Sequence, residues 1–314
     1  MSIAVLAGGV GAAKFLAGLV QVADPADITA VVNVGDDFEL HGLRISPDLD
    51  TVTYTLAGEV NPETGWGLRG ETWQAMDVVG RYGGPDWFRL GDRDLGTHLF
   101  RTGRLAGGDT LSAVTTDVVA AWGIGIRVLP ASDDPLRTMV TLAGDGPDHG
   151  AEVDFQSYFV RRQHSVPVSA IRFAGADAAT PAPGVLDAIG TAHTVICAPS
   201  NPIVSIAPVL AVPGLREAVT ARRDRTVAVS PIVAGSALKG PADRMLAELG
   251  HEASVVGVAR LYRDWCSTLV VDEADAGRAD AVEAEGMRCV VAPTIMRDPQ
   301  SSAAVARAVL DSIA

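Results

Sequence analysis

Aromatic residues are scarce in this chain, at 5% of 314 residues, although 48% of the residues are hydrophobic. Ala, Val, Gly and Leu therefore carry the apolar mass, a mixture suited to parallel strands buried under Ala-rich helices. Positive charge is also short: 25 basic residues face 38 acidic ones, a formal net charge of −13. Phosphate backbones and anionic bilayers are held by clustered Lys and Arg, so neither a nucleic acid nor a membrane is expected as a partner. The three cysteines, Cys197, Cys266 and Cys289, are far apart and form no C-x-x-C pair. That pattern points to buried thiols in a reducing cytosol rather than to disulfides or zinc. No uncharged run approaches the roughly 18 apolar residues of a membrane helix, and the apolar N-terminus lacks the basic stretch of a signal peptide. A cytoplasmic protein is expected. Internal repeats, low-complexity tracts and a nucleophile elbow are missing as well, so covalent catalysis by a side chain is not expected.

What is present begins with an apolar run, Ile3 to Ala7, then Gly8-Gly9-Val10-Gly11-Ala12-Ala13-Lys14 and a helical pattern through Phe15, Leu16, Leu19 and Val20. A second run, Ile28 to Val32, leads into Asn33-Val34-Gly35-Asp36-Asp37. Strand, glycine turn, helix and strand in that order make a βαβ opening. Residues 60–122 change character, with Trp66, Trp73, Trp87 and Phe88 and helical spacing around Thr72 to Val79 and Thr110 to Trp122. From Gly125 strands resume, at Ile126 to Leu129, Val153 to Val160, His193 to Cys197, Thr226 to Val229, Ser254 to Val258, Thr268 to Val271 and Cys289 to Ala292. Helices fit at Val185 to Ile189, Ala242 to Leu249 and Ala303 to Ile313. The expected fold is α/β, a Rossmann-like, mostly parallel sheet forming one domain over 1–314, with a helical insertion over 60–122 covering its carboxyl edge.

Ligands of such sheets sit beyond the carboxyl ends of the strands. Gly9-x-Gly11 after a strand lets the backbone approach a phosphate, with the next helix's N-terminus supplying donors; the same pattern also serves a plain tight turn. Lys14 stands where a dinucleotide fingerprint has Gly or Ala, and the P-loop spacing is absent. In Ser46-Pro47-Asp48-Leu49-Asp50-Thr51 the proline favours an extended residue before it. Asp48 and Asp50 then point the same way, about 7 Å apart. With Asp36-Asp37 they suit a hard cation such as Mg²⁺, or serve as caps and turn formers. In Phe88-Arg89-Leu90-Gly91-Asp92-Arg93-Asp94, Arg89 and Arg93 are forked donors for an anion or members of a solvated charge cluster. His98 reads as a structural hydrogen-bonder before a catalytic base. Ser200 or Asn201 can cap a helix starting at Pro202, a second anion-ready helix start at a strand end, and Ser230-Pro231 repeats the idea.

Taken together and in order, Gly8-Gly9-x-Gly11-x-x-Lys14, Asn33-x-x-Asp36-Asp37, Ser46-Pro47-Asp48-Leu49-Asp50-Thr51, Leu90-Gly91-Asp92-Arg93-Asp94, Pro199-Ser200-Asn201-Pro202 and Ser230-Pro231-Ile232 resemble the 2-phospho-L-lactate transferase (CofD-like) family. The Ala-rich, acidic style is most similar to its actinobacterial branch, which serves coenzyme F(420) synthesis. The resemblance implies a Mg²⁺-dependent transfer of a phosphoenolpyruvyl or phospholactyl group from a GDP-linked donor to the deazaflavin Fo, releasing GMP. It implies that Asp50 contacts Fo, and orients or deprotonates its hydroxyl or holds the metal alongside Asp48. Arg89 is the second Fo contact it implies, where relatives carry a basic residue. The glycine loop (Gly8, Gly9, Gly11, Lys14), Asn33, Asp36, Thr51, Ser200 and Asn201 would complete the substrate site, and the partner would be a second copy of the chain, as a homodimer. A related branch implies the alternative, a UDP-sugar-binding regulatory protein.

Overall fold

Seven short apolar runs become parallel strands in the computed structural model, which describes residues 1–313 except 145 and 147. They are β1 (Ile3–Ala7), β2 (Ile28–Val32), β3 (Arg127–Pro130), β4 (Thr194–Cys197), β5 (Thr226–Val229), β6 (Thr268–Val271) and β7 (Arg288–Val291). The sheet runs β7-β6-β5-β4-β1-β2-β3. The chain therefore starts in the middle, builds outward to β3, and returns beside β1 to build the other half. Leu6 sits in register with Val31 on one side and Cys197 on the other. All five residues of β1 are buried, as a strand covered on both faces requires. The order reverses between β1 and β4, the place where an open parallel sheet leaves a crevice at its carboxyl edge.

Helix α1 (Gly9–Leu19) follows β1 and packs on α2 (Pro47–Leu56) and on the C-terminal helix Pro299–Asp311. Between α2 and β3 come α3 (Gln74–Arg81), α4 (Asp94–Ala106) and α5 (Leu111–Ala121). These match the helical spacing read at 72–79 and 110–122; Thr110 caps α5 by accepting from Ala113 N–H. A small separate core of Phe38, Leu40, Ile45, Met76 and Leu90 fastens this region to the hairpin Phe38–Leu40/Leu43–Ile45.

Four expectations about local structure are corrected. Ser46 to Thr51 is not extended: Pro47 is the first residue of α2, where its missing N–H costs nothing and its fixed φ fits a helix. Ser254 to Val258 is not a strand but the start of the helix Val255–Tyr262, because the Ser254 hydroxyl accepts from Val256 and Gly257 N–H. Of Val153 to Val160 only Glu152–Asp154 is strand; Asp154 caps a helical turn by accepting from Ser157 N–H, and Ser157–Arg161 is helical. That short strand joins Arg137–Leu142 and Val168–Ala174 in an antiparallel sheet. Ser230-Pro231 likewise leads into a tight hairpin, Ile232–Val233/Ser236–Ala237, and not into a helix.

Candidate active site

The crevice at the order reversal is a cleft of about 1000 Å³. The turn after β1 forms its floor. Gly8 has no room for a side chain: a Cβ would lie 2.8 Å from both Asp48 Oδ2 and Ser205 Cβ. A Cβ on Gly11 would run into the Pro199 carbonyl oxygen. These two glycines thus let α1 close onto α2 and onto the loop after β4. Gly9 differs, since its φ of +72° favours glycine and it opens on free space. Its N–H donates to Asp48 Oδ1 at 2.9 Å. Lys14 reaches the cleft rim and donates to the Met296 carbonyl at 3.2 Å.

The acids separate. On a helix two residues apart, Asp48 and Asp50 face different ways. Asp48 turns to the β1 turn and accepts from Asn33 Nδ2 at 2.9 Å, while Asn33 Oδ1 accepts from Gly35 N–H. Burial pushes Asp48 up to about 6. Nearby, burial and then the charge of Asp48 push Asp36 well above the carboxylate range, and burial pushes Asp37 to about 8 although Ser46 Oγ donates to it at 2.6 Å. Asp36 Oδ1 and Asp37 Oδ1 are buried with no hydrogen-bond partner among the described residues. Three carboxyls thus crowd one buried corner, each pushed up by burial, with Arg101 acting on Asp37 from the far side.

Asp50 turns the other way, into the Arg101 guanidinium, whose Nη1 donates to Oδ2 at 3.1 Å and whose Nη2 donates to Oδ1. His98 bridges onward, with Nδ1 3.8 Å from Asp50 Oδ2 and Nε2 3.2 Å from Asp94 Oδ2. Tyr54 donates to Asp94 Oδ1 at 2.6 Å. Burial alone would raise Asp94, but the His98 and Tyr54 contacts hold it below its ordinary value. One ligand atom each from Asp50, Asp94 and His98 lie within 4.8 Å of one another, close enough to share a metal ion. Thr51, buried beside Asp50, also lines the cleft.

The third wall is aromatic. Trp66, Trp73, Trp87 and Phe88 line it. Trp87 and Phe88 also pack on Phe38, at 6.1 and 4.9 Å between ring centres, so they are core and wall at once. Arg89 lies on the cleft but is not free: its Nη2 is 2.5 Å from Asp77 Oδ1 and its guanidinium stacks 5.3 Å over Trp73. Arg93 turns away to the Arg69 carbonyl and Glu59. Across the cleft, Ser200 Oγ is buried with no hydrogen-bond partner among the described residues, and Asn201 Oδ1 caps the following turn by accepting from Ile203 N–H at 2.9 Å.

The sequence reading thus brings Asp36, Asp48, Asp50, Thr51, Arg89, Ser200, Asn201, Lys14 and the glycines to one cleft, with Asn33 tied to Asp48 just beneath. It missed Arg101, Tyr54 and Lys239. A signal for the first was present: Asp94, His98 and Arg101 recur at i, i+4 and i+7, one face of α4.

A family model described as 2-phospho-L-lactate transferase CofD matches residues 3–298. The phosphoenolpyruvate transferase of Streptomyces griseus is 48% identical over 99% of this chain and 98% of its own length. That of Mycolicibacterium smegmatis is 43% identical over 99% and 98%. A UPF0052-family protein of Bacillus halodurans shares the fold, with a TM-score of 0.63 at 18% identity over 98% of each chain.

Proposed function

Since the chain belongs to the 2-phospho-L-lactate transferase CofD family, as a transferase with phosphoenolpyruvate transferases among its relatives, we propose that it moves a phosphoenolpyruvyl or phospholactyl group from a GDP-linked donor to the deazaflavin Fo, releasing GMP. The observation that carries the reading is the cleft's division into an acidic corner, an anion-ready helix start and an aromatic wall at the sheet's order reversal. The flat deazaflavin ring would lie along Trp66, Trp73 and Trp87, with Arg89 beside it. Its terminal hydroxyl would meet Asp50, which Arg101 holds in one orientation and which would accept the hydroxyl's proton. The phosphorus–oxygen bond to GMP breaks as the bond to that oxygen forms. The donor's nucleotide would rest on Gly9, the first turn of α1, Ser200 and Asn201.

Two residue sets fit a divalent cation, and they divide the expected pair Asp48 and Asp50 between them. Asp50, Asp94 and His98 are close together, but Arg101 already offsets Asp50. Asp36 and Asp48 offer only oxygens, the orphaned Oδ1 of Asp36 among them. Mg²⁺ takes one or two carboxylates plus substrate phosphates, so Asp36 and Asp48 are the better fit. The ion would supply charge neutralisation on the diphosphate as GMP leaves.

The test is turnover by purified protein given Mg²⁺, Fo and GDP-linked phosphoenolpyruvate. Release of GMP with formation of a deazaflavin phosphodiester is expected; no product would reject the reading. The UDP-sugar alternative predicts instead that a UDP-sugar, and not Fo, raises the melting temperature. Homodimer formation belongs to the same proposal and is checked by light scattering.

A further inference from the structure

A buried guanidinium and carboxylate are seldom kept for stability alone, since apolar side chains of the same volume commonly serve as well. Helices α2 and α4 nevertheless meet through polar ties, Asp50 to Arg101 and, one turn further along α2, Tyr54 to Asp94. His98 lies between the two ties on the same face of α4 and is buried. The start of α4 is itself fixed, because Glu71 accepts from Arg93 and Asp94 N–H at 2.8 Å each. Asp94 is thus held by its backbone and by its side chain.

The two ring nitrogens of His98 meet opposite chemistry. Nδ1 is 3.4 Å from Arg101 Nη1, and a guanidinium can only donate. Nε2 is 3.2 Å from Asp94 Oδ2, and an ionised carboxylate can only accept. Asp50 Oδ2 is also near Nδ1, but at 3.8 Å it is too far to take a hydrogen bond. Nε2 is buried and meets no well-angled partner among the described residues, so Asp94 is where its proton can turn. Both neighbours therefore ask for one tautomer, with the proton on Nε2 and a lone pair on Nδ1. Arg101 Nη1 has two hydrogens and three acceptors about it: Asp50 Oδ2 at 3.1 Å, the Arg44 carbonyl at 3.4 Å and His98 Nδ1. A proton on Nδ1 would set N–H against N–H and turn the fork away from Asp50.

We infer that Asp94, backed by Tyr54, fixes the tautomer of His98, and that His98 in turn seats the Arg101 fork that aims Asp50 at the incoming alcohol. Asp94 and His98 are positioning residues; neither is assigned a contact with the reacting atoms. The effect on turnover rests on the transferase reading and deepens it by naming what aims Asp50. The tautomer stands on the hydrogen-bonding geometry alone.

Nitrogen NMR of isotope-labelled protein, with His98→Asn identifying the ring signals, tests the tautomer, and steady-state turnover tests its consequence. Wild type should show a protonated Nε2 and a bare Nδ1. His98→Leu and Asp94→Leu should each lower kcat about 10–100-fold, the scale of a misaimed reacting group, with KM for Fo little changed. His98→Asn keeps an acceptor towards Arg101 and should recover most of that loss. A proton on Nδ1 in wild type would overturn the assignment, whatever the variants do. So would equal losses in His98→Asn and His98→Leu, which mean a merely structural role, or a loss carried by KM alone. Added Mg²⁺ that shifts the His98 nitrogens directly would overturn it too, since Asp50, Asp94 and His98 would then be holding the ion. Wild type with the expected spectrum and no product would overturn the transferase reading, and the effect on turnover with it, while the tautomer stands.

Discussion

Arg101 and Asp50 form a pair taken almost wholly out of water. Removing one partner of such a pair leaves the other buried and unmatched, which costs about 3–5 kcal/mol. Arg101→Met should therefore lower the unfolding free energy from urea titration by that order, and a value unchanged from wild type would show the pair to be idle. Asp50→Asn also leaves the Arg101 charge unmatched and should lose stability, but on protein that remains folded turnover should fall about 100-fold or more, as befits loss of a proton acceptor; full activity would remove Asp50 from the chemistry. Asp37 gives a pH signature. Folding raises its carboxyl from 3.8 to about 8, so the native state holds a proton that the unfolded chain releases. The stability this confers is full below about pH 4 and is lost as pH climbs through 8. In EDTA, Asp37→Asn should raise the melting temperature more at pH 8 than at pH 5. Equal gains at both would refute the shift.

At the level of elements, the strands of the main sheet were readable because strands buried on both faces appear as unbroken apolar runs, as Ile3–Ala7 and Thr268–Val271 do. The same rule misled at Ser254 to Val258, where an equally apolar run is a helix buried on most sides and the serine cap decides. At Ser46-Pro47 two local rules competed, an extended residue before proline and a proline at the first helical position, and both hold once Ser46 is outside α2 and Pro47 inside it. The motif residues line one cleft, while the helical spacing of Asp94, His98 and Arg101 did not say which acid Arg101 meets. Arg101 lies 51 positions from Asp50, a distance only the packing of α4 closes. Substitutions separate these effects. Ser254→Ala should cost about 1 kcal/mol, the value of a helix cap, read from the unfolding midpoint. Gly11→Ala should cost about 1–3 kcal/mol through the clash with Pro199, and a variant as stable as wild type would show that the β4 loop yields.

For the molecule as a whole, a net charge of −13 sits awkwardly with an anionic donor unless a cation assists. Mg²⁺ should raise the melting temperature, as any ligand of the native state does, and Asp36→Asn should abolish that rise. An undiminished rise in the variant would move the ion elsewhere. No helix among the described residues is long and apolar enough to cross a membrane.

The aromatic wall stands on its own small cluster around Phe38, Met76 and Leu90, apart from the large core beneath the sheet. A region with so few buried contacts can open without the rest unfolding. Amide protons of α3 should therefore exchange with deuterium well ahead of those in β1, and Fo should slow them, so that the chain would admit its flat guest by letting one side of the house breathe while the foundations stay still.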